Sequence, residues 1–419
     1  MEPSWRRLER SLGLGDATVI GIGSMVGAGV FAVWSAAAAV AGSQLLIGLL
    51  IAGVVATCNG LSSGLLAAIH PEAGGTYIYA SKQLGPVRGF IAGWGFVIGK
   101  TASCAAIALT AGAYLLPAYD RLVAVVALIV VTSINIGGLE RTVRVTRILL
   151  AVTGFALVFV IASGWVAANP DTTRLTIGSS ESLVASSYGI LQAAGIVFFA
   201  FAGYARIATL GEEVRDPERT IPRAILISLG IVVLLYVLLG ATVVSVVPSE
   251  TLMGTTDPLR LVVESGSWEA FGPLIRIAAG VAACGALLNL IPGVSRTSLA
   301  MARRGDLPRI FAHLTAQPPK PVRAELTVTA AAIVLVLCFD IRDSIGISGV
   351  GVLVYYALTN WSVLTLNPAP MPRLRAIVGL AGCSILVVCL PGWALVTGSS
   401  VLVTGLVLRI LFHDSTKDR

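Results

Sequence analysis

Long apolar stretches, each bounded by polar or charged residues, follow one another from residue 17 to residue 412. A helix needs about 20 apolar residues to cross the hydrocarbon core of a bilayer. On this measure the pattern predicts twelve membrane-spanning helices, with ten or eleven left open because the ninth is short and the last two share one run. The expected spans are 17–40, 45–69, 88–116, 121–139, 146–167, 187–211, 222–247, 272–297, 326–340, 344–366, 376–391 and 393–412.

The composition supports an all-α polytopic membrane protein. The chain is 56% hydrophobic and 12% charged, with a mean hydropathy of +0.88, whereas soluble domains are about 25% charged. Its net charge of +7 does not indicate nucleic-acid binding, because a basic excess in membrane proteins usually reflects cytoplasmic loops. The cysteines and histidines lack metal-ligand spacing, so we expect no disulfide framework, no metal and no cofactor.

The distribution of positive charge predicts the orientation. Of the 29 Lys and Arg residues, 22 fall in segments that are cytoplasmic if the N-terminus is inside, five in outer loops and two within spans. Positive charge in loops marks the cytoplasmic side. We therefore expect both termini in the cytoplasm and a multi-pass location in the cell membrane, most naturally a bacterial inner membrane.

Four glycines interrupt the first apolar run, in the segment Gly21–Phe31. Lipid offers no hydrogen bonds, so open backbone at membrane depth is tolerated only where it lines a protein cavity. Transporters build substrate sites at such broken helices. Free N–H groups at the start of the outer half can hold an anion and free carbonyls of the inner half a cation. The alternative is that Gly23 and Gly27 form a helix-packing face.

A second break is expected in the sixth span, at Gly203 within Phe198–Tyr204. It lies five spans after the first break, and the two spans run in opposite directions. This predicts a five-plus-five inverted repeat. The expected units are residues 1–167 (spans one to five), residues 168–366 (spans six to ten) and residues 367–419 (two C-terminal spans and a tail).

Four segments together carry a family resemblance. They are Gly21–Phe31, Pro71–Tyr79, Phe198–Arg223 and Ser295–Pro308. With them the chain resembles the amino acid–polyamine–organocation (APC) superfamily, which has the LeuT-type fold, over spans one to ten. The resemblance implies a secondary active transporter that moves amino acids or related amines by alternating access.

The resemblance also implies a substrate site built from backbone groups. The substrate carboxylate is expected on the N–H groups of Gly27, Ala28 and Gly29. The substrate ammonium is expected on carbonyls that precede the two breaks, at Met25, Phe199 and Ala202, with Gly203 completing the site. The Phe199 ring would close over the substrate from outside.

Two positions that often carry charge in the family are uncharged in this chain. Span six has Ala205 where relatives often have an acidic residue, and span five has Thr153 where many proton-coupled members have a lysine. Lys100 and Arg206 are therefore the coupling candidates, because ionisable residues within membrane spans are rare and functional by default. The alternatives are that Lys100 is satisfied by carbonyls or reaches an interface, and that Arg206 reaches an interface or pairs with a cytoplasmic carboxylate.

Charge within the spans also predicts the substrate class. Two cations and no deep acidic residue favour neutral amino acids, with acidic ones left open, in a proton-coupled or exchanging transporter. The alternatives are a transporter of cationic amino acids or polyamines, a channel, or a receptor on the same fold. No nucleophile–base motif indicates an enzyme. Expected partners are a small-molecule amino acid, membrane lipid and protons, and not nucleic acid. Charges at 71–79 and 212–223 either pair across the cytoplasmic loops and hold the inner gate, or are simply solvated.

Overall fold

The computed structural model describes residues 10–137, 139–175, 183–315 and 320–414. These residues form helices and connecting turns without a β-sheet, and a single parallel bridge joins Leu12 to Val214. The first seven helices are α1 (Leu14–Met25), α2 (Ala28–Ala41), α3 (Leu45–Ile69), α4 (Thr76–Leu84), α5 (Pro86–Leu115), α6 (Asp120–Ile136) and α7 (Leu139–Val166).

Ten more helices follow in the rest of the chain. They are α8 (Leu183–Phe201), α9 (Ala205–Ala208), α10 (Pro217–Val246), α11 (Ser249–Gly254), α12 (Pro258–Glu264), α13 (Gly272–Arg303), α14 (Val322–Cys338), α15 (Ile341–Leu364), α16 (Pro370–Val388) and α17 (Gly392–Asp414). Each of the twelve predicted spans corresponds to a helix or to a pair of half-helices. The helices α7 and α16 begin six or seven residues before the predicted spans, at Leu139 and Pro370. These first residues include charged ones, because the helix continues past the apolar run into the charged interface.

Ten helical stretches in the described residues are long and apolar enough to cross a membrane. The first stretch, at 56 residues, is far longer than the roughly 20 that one crossing needs, and it contains the first two spans. They are separated by a short 3-10 turn at Gly42–Gln44, where Gly42 has a φ of +55° that suits glycine. The seventeen-residue α14 makes the remaining crossing.

Both predicted breaks are present. The first crossing is interrupted between α1 and α2, where Val26 has a ψ of 73° and Gly27 is extended, with φ −131° and ψ −153°. The sixth crossing is interrupted by a tight 3-10 turn over Ala202–Tyr204, between α8 and the four-residue α9. The residues that flank the second interruption keep right-handed helical dihedral angles. The helix is therefore wound more tightly over this turn, as a 3-10 helix, and is not unwound.

Short helices that the hydrophobic pattern did not predict follow the second and seventh crossings. They are α4 after α3, and α11 and α12 after α10. They are too short and too polar to produce a membrane-span signal.

The third crossing, α5, lies at the centre of the bundle. In its most apolar window 89% of the residues are buried, against 17% in α17, which is therefore peripheral. Small residues allow close packing around α5: a Cβ added at Gly351 of α15 would lie 2.5 Å from the Gly95 carbonyl oxygen. Side chains from the middle of α5 consequently reach the two broken crossings.

Candidate functional site

A small cavity, lined almost entirely by buried residues, lies where the two interrupted crossings meet α5 and α13. Its volume is about 10 Å³, room for about one water molecule and too little for an amino acid. The cavity must therefore widen to accept one. It is lined by Ser24, Met25, Gly27, Gly29, Lys100, Ser103, Ile107, Phe199, Ala200, Gly203, Ala286 and Leu290.

The start of α2 supplies backbone N–H groups beside the cavity. Ala28 and Gly29 are its first two residues, and the first N–H groups of a helix have no carbonyl partner within that helix. The N-terminus also carries a partial positive charge, which favours an anion. The Gly27 N–H, in contrast, donates to the Met25 carbonyl at 2.8 Å. In this closed arrangement it is engaged within the break.

The carbonyls at both breaks accept hydrogen bonds from the protein itself. Besides the Gly27 N–H, the Met25 carbonyl accepts from the Tyr236 hydroxyl at 2.7 Å. The Ala202 carbonyl accepts from Lys100 Nζ at 2.7 Å and from the Tyr356 hydroxyl at 3.2 Å. Two of the three carbonyls expected to meet a substrate ammonium are thus already paired. The third expected residue, Phe199, lines the cavity with its ring.

Glycine is required where the two breaks touch. A Cβ added at Gly203 would lie 2.1 Å from the Ser24 carbonyl oxygen, and one at Gly29 would lie 3.1 Å from Ala200 Cα. The alternative packing interpretation also holds for the first crossing. A Cβ at Gly27 would lie 2.3 Å from Ala286 Cβ of α13, so this glycine both permits the break and allows close packing.

Lys100 reaches the cavity from α5 and is only 3% exposed. Within the described residues it takes part in no salt bridge, and its ammonium is held by the Ala202 carbonyl. Of the two alternatives for this lysine, the structure shows satisfaction by a carbonyl, since the side chain stays at the cavity.

Arg206 does not line the cavity. It lies just beyond the second break, is 2% exposed, and donates from Nη1 to Thr209 Oγ1 at 2.7 Å. Its Nη2 is 4.0 Å from Glu213 Oε2, and its Nε lacks a hydrogen-bond partner among the described residues. Arg206 therefore belongs to a charge cluster adjacent to the site, consistent with the expected pairing to a nearby carboxylate.

The rest of that cluster consists of Arg296, Glu213 and Glu325. Arg296 donates to both Glu213 oxygens, at 2.7 and 2.6 Å, and lies 3.4 Å from Glu325 Oε1. Burial raises the pKa of the Glu213 carboxyl, but the Arg296 guanidinium outweighs it and holds that pKa below its usual value. The buried cluster of two cations and two carboxylates is electrically balanced.

Two of the loop charges that the sequence singles out, Glu212 and Glu72, are also paired. Arg303 lies 2.9 Å from Glu212, and Arg304 lies 3.5 Å from Glu72. Together with the buried cluster, these pairs tie α13 to the segments that follow α3 and α9. We call this side of the bundle, where α1 begins and α3 ends, the inner face. The pairs close it.

Contacts also close the bundle on the other side. Tyr114, near the end of α5, donates from its hydroxyl to the Phe31 carbonyl of α2 at 2.9 Å, and both side chains are buried. Arg276, near the start of α13, contacts Asp257 at 2.8 Å. Contacts therefore join the helices at both faces of the bundle.

Sequence reasoning missed the two tyrosines that donate to the breaks. Tyr236 lies 211 residues from Met25, and Tyr356 lies 154 residues from Ala202. A hydroxyl inside an apolar span is a usable signal, because a buried Tyr hydroxyl usually finds a partner. The sequence does not say which carbonyl it contacts.

A helical bundle with two interrupted crossings beside a buried cavity is the architecture of a membrane transporter. The family model described as amino acid permease matches residues 12–412. The chain therefore belongs to the amino acid permease family, within the APC superfamily that its motifs resemble.

Individual relatives agree with this family. The chain is 48% identical to an uncharacterized transporter of Mycobacterium tuberculosis, over 95% of this chain and 90% of the relative. It is 27% identical to cationic amino acid transporter 3 of Arabidopsis thaliana, over 86% and 63% of the two chains. It is 24% identical to a branched-chain amino acid permease of Bacillus subtilis, over 97% and 94%. The chain is thus similar to a multi-pass transporter of the cell membrane.

Proposed function

We propose that this chain is a secondary active transporter that carries neutral amino acids across the cell membrane by alternating access. The observation that carries the proposal is the cavity between the two helix breaks. It is lined by Met25 and by the start of α2, and Lys100 in its wall contacts the Ala202 carbonyl. The N–H groups and carbonyls of these segments are the two kinds of backbone group that suit a carboxylate and an ammonium. Contacts close it on both sides, as a carrier requires and a continuous pore does not.

The lining of the cavity supports neutral substrates. Lys100 is the one charged residue among the twelve that line it, and none of them is acidic. A cationic side chain entering such a site meets repulsion, which is stronger at low dielectric than in water. Named relatives include both a cationic amino acid transporter and a branched-chain amino acid permease, and this lining favours the second kind of substrate.

For coupling, the proposal retains Lys100 and Arg206 as candidates with different roles. A buried lysine can lose its proton, so Lys100 is the candidate proton site at the cavity. An arginine keeps its charge in proteins, so Arg206 acts on the inner-face cluster without titrating. Exchange of one amino acid for another remains the alternative to proton coupling.

The proposal includes the arrangement of the whole chain. Residues 1–167 and 168–366 form two inverted repeats, and residues 367–419 add two peripheral spans. The inner face is cytoplasmic, with both termini on that side of a bacterial inner membrane. The paired loop charges then act as the cytoplasmic gate.

An uptake screen in proteoliposomes tests the function. Purified protein is reconstituted and offered each of the twenty labelled amino acids, with a pH gradient or with the same amino acid preloaded. We expect saturable uptake of a subset of neutral amino acids. Liposomes without protein and liposomes with an equal amount of the Gly203→Val variant are the controls. Saturable binding without either uptake or exchange would favour a receptor over a transporter.

A further inference from the structure

Lys100 occupies the place expected for part of the substrate. Its ammonium donates at 2.7 Å to the carbonyl of Ala202, which lies in the 3-10 turn that interrupts the sixth crossing. That carbonyl is one of those expected to receive the ammonium of a bound amino acid. The lysine and the substrate thus present the same chemical group to one acceptor.

We propose that Lys100 is a tethered stand-in for the substrate ammonium. It binds the Ala202 carbonyl when the cavity is closed around no substrate, and the ammonium of an incoming amino acid displaces it. The inference rests on the proposed function and assigns Lys100 a part in both substrate affinity and the return of the unloaded carrier.

The absence of a carboxylate partner makes displacement feasible. Lys100 is in none of the salt bridges within the described residues, so what holds its head group is a hydrogen bond to a backbone carbonyl. The neighbouring polar side chain of Ser103 is already paired, with the Gly99 carbonyl at 3.1 Å and with Ser348 Oγ at 2.6 Å. The position therefore accommodates an ammonium without committing it to a fixed counter-ion.

A consequence follows for the unloaded carrier. Buried carbonyls left without a donor are costly, so a broken helix closes poorly unless something pairs with its exposed backbone groups. The Ala202 carbonyl oxygen has two lone pairs, and Lys100 supplies a second donor beside the Tyr356 hydroxyl without any substrate. The closed form is then accessible to the empty protein. The unloaded carrier can therefore reorient to the side from which it took up substrate, which allows net uptake as well as exchange.

A second consequence concerns affinity. A substrate that must displace Lys100 binds more weakly than it would to the same site without the lysine, because part of the protein is held in a competing arrangement. This distinguishes the stand-in from a lysine that binds the substrate carboxylate. Removing the stand-in strengthens amino acid binding, whereas removing a carboxylate partner weakens it.

The Lys100→Met variant tests whether amino acid affinity rises or falls when the lysine is removed. Methionine has a similar length but cannot donate a hydrogen bond, so the Ala202 carbonyl loses the shorter of its two bonds and keeps only the one from the Tyr356 hydroxyl at 3.2 Å. For the best substrate of the screen we expect the dissociation constant, measured by titration calorimetry in detergent, to fall about tenfold. In proteoliposomes we expect the ratio of exchange to net uptake to rise about tenfold, because the empty variant returns slowly.

Lys320→Met is the matched control. Lys320 also donates to a backbone carbonyl, that of Ile136, at 2.9 Å, but it lies away from the cavity. Its replacement should change neither the dissociation constant nor the ratio. A Lys100→Met protein that binds the amino acid equally or more weakly, with its exchange ratio unchanged, would overturn the inference while leaving the proposed function intact.

A measurement on the wild-type protein keeps the inference testable if the variant does not fold. The analogue of the best substrate that lacks the α-amino group leaves Lys100 on the Ala202 carbonyl and places only its carboxylate at the start of α2. We expect it to bind within about tenfold of the amino acid. A loss of more than a hundredfold would contradict the stand-in. If no amino acid binds or is transported by any variant, the proposed function and the inference fail together.

Discussion

Arg296 holds Glu213 through two parallel hydrogen bonds, from Nε to Oε2 at 2.7 Å and from Nη2 to Oε1 at 2.6 Å. Both side chains are buried, and 83 residues separate them in sequence. The bond pair joins α13 to the segment that follows the second helix break. Any opening of the inner face that separates these two segments must break it.

Glu213→Gln should destabilise the closed protein strongly. Removing one partner of a buried ion pair leaves the other charge uncompensated and typically costs about 3–5 kcal/mol. Glu325, 3.4 Å from Arg296, retains part of the compensation, so we expect the lower end of that range. The measurement is the thermal unfolding midpoint of purified protein in detergent.

The matched control is Glu212→Gln. Glu212 pairs with Arg303 at 2.9 Å, but this pair is partly exposed, and such pairs contribute about 0–1 kcal/mol. Equal unfolding midpoints for the two glutamine variants would show that the buried pair does not hold the inner face.

The pH dependence of this pair follows from the sign of the pKa shift. The pKa of Glu213 is lowered in the folded protein, so the stabilisation is present above the unfolded value of about 4.3 and is lost as the pH falls through the folded value. Between pH 5 and pH 8 the wild-type and Glu213→Gln unfolding midpoints should therefore differ by a constant amount. If the difference shrinks steadily across this range, the Glu213 carboxyl changes its protonation state there and its pKa is not lowered.

Gly203→Val should abolish substrate binding and transport without preventing membrane insertion. Its added Cβ alone would lie 2.1 Å from the Ser24 carbonyl oxygen, so the two breaks must separate. Gly27→Val and Gly29→Val should act in the same way from the first crossing. Membrane-inserted protein is quantified on blots, and uptake is normalised to it.

Gly230→Val is the control for the glycine series. Gly230 lies within α10, and a Cβ added there meets no atom within 4 Å. It should retain most of the uptake, because valine is a better helix former than glycine and its Cβ has room at this position. Normal transport by the Gly203→Val variant would show that the break of the sixth crossing is not part of the substrate site.

The spans and both breaks could be predicted from the sequence, because each depends on local signals. Apolar run length gives the crossings, and glycines within a run give the interruptions. The first break is open, as four glycines predict, whereas the second is a tight 3-10 turn, which one glycine does not specify.

The hydrogen bonds at the site could not be predicted, since they depend on tertiary distances. The sequence places Lys100 deep within a span, but nothing in the apolar pattern of α5 identifies the Ala202 carbonyl as its acceptor, 102 residues away. For Arg206 the sequence offers pairing with a cytoplasmic carboxylate only as an alternative to a coupling role, with Glu212 six residues further on. In the structure Arg206 lies 4.0 Å from Glu213, and Arg296 makes the shorter contact with that carboxylate, at 2.6 Å.

The orientation predicts which loops face the outside. In a protein whose six cysteines have been replaced, single cysteines at Thr172 and Thr255 should react with an impermeant maleimide in intact cells, whereas one at Thr315 should react only after permeabilisation. Cysteines at Ser4 and Ser415, which lie outside the described residues, should behave like Thr315. If the cysteine at position 172 reacts only after permeabilisation, the assignment of the fifth and sixth crossings is wrong, and so is the inverted repeat that depends on it.

The last prediction concerns selectivity between neutral and cationic amino acids. The cavity is lined by Lys100 and by no acidic side chain, so the side chain of lysine or arginine would bring a second positive charge to a buried site without a counter-ion. We expect uptake of alanine, serine or leucine to exceed that of arginine by at least about tenfold at equal concentration. The comparison should be made in proteoliposomes with the membrane potential clamped at zero, because a negative interior would draw in arginine independently of the site. Saturable uptake of arginine with none of the three neutral amino acids would show that carbonyls and aromatic rings outweigh the Lys100 charge.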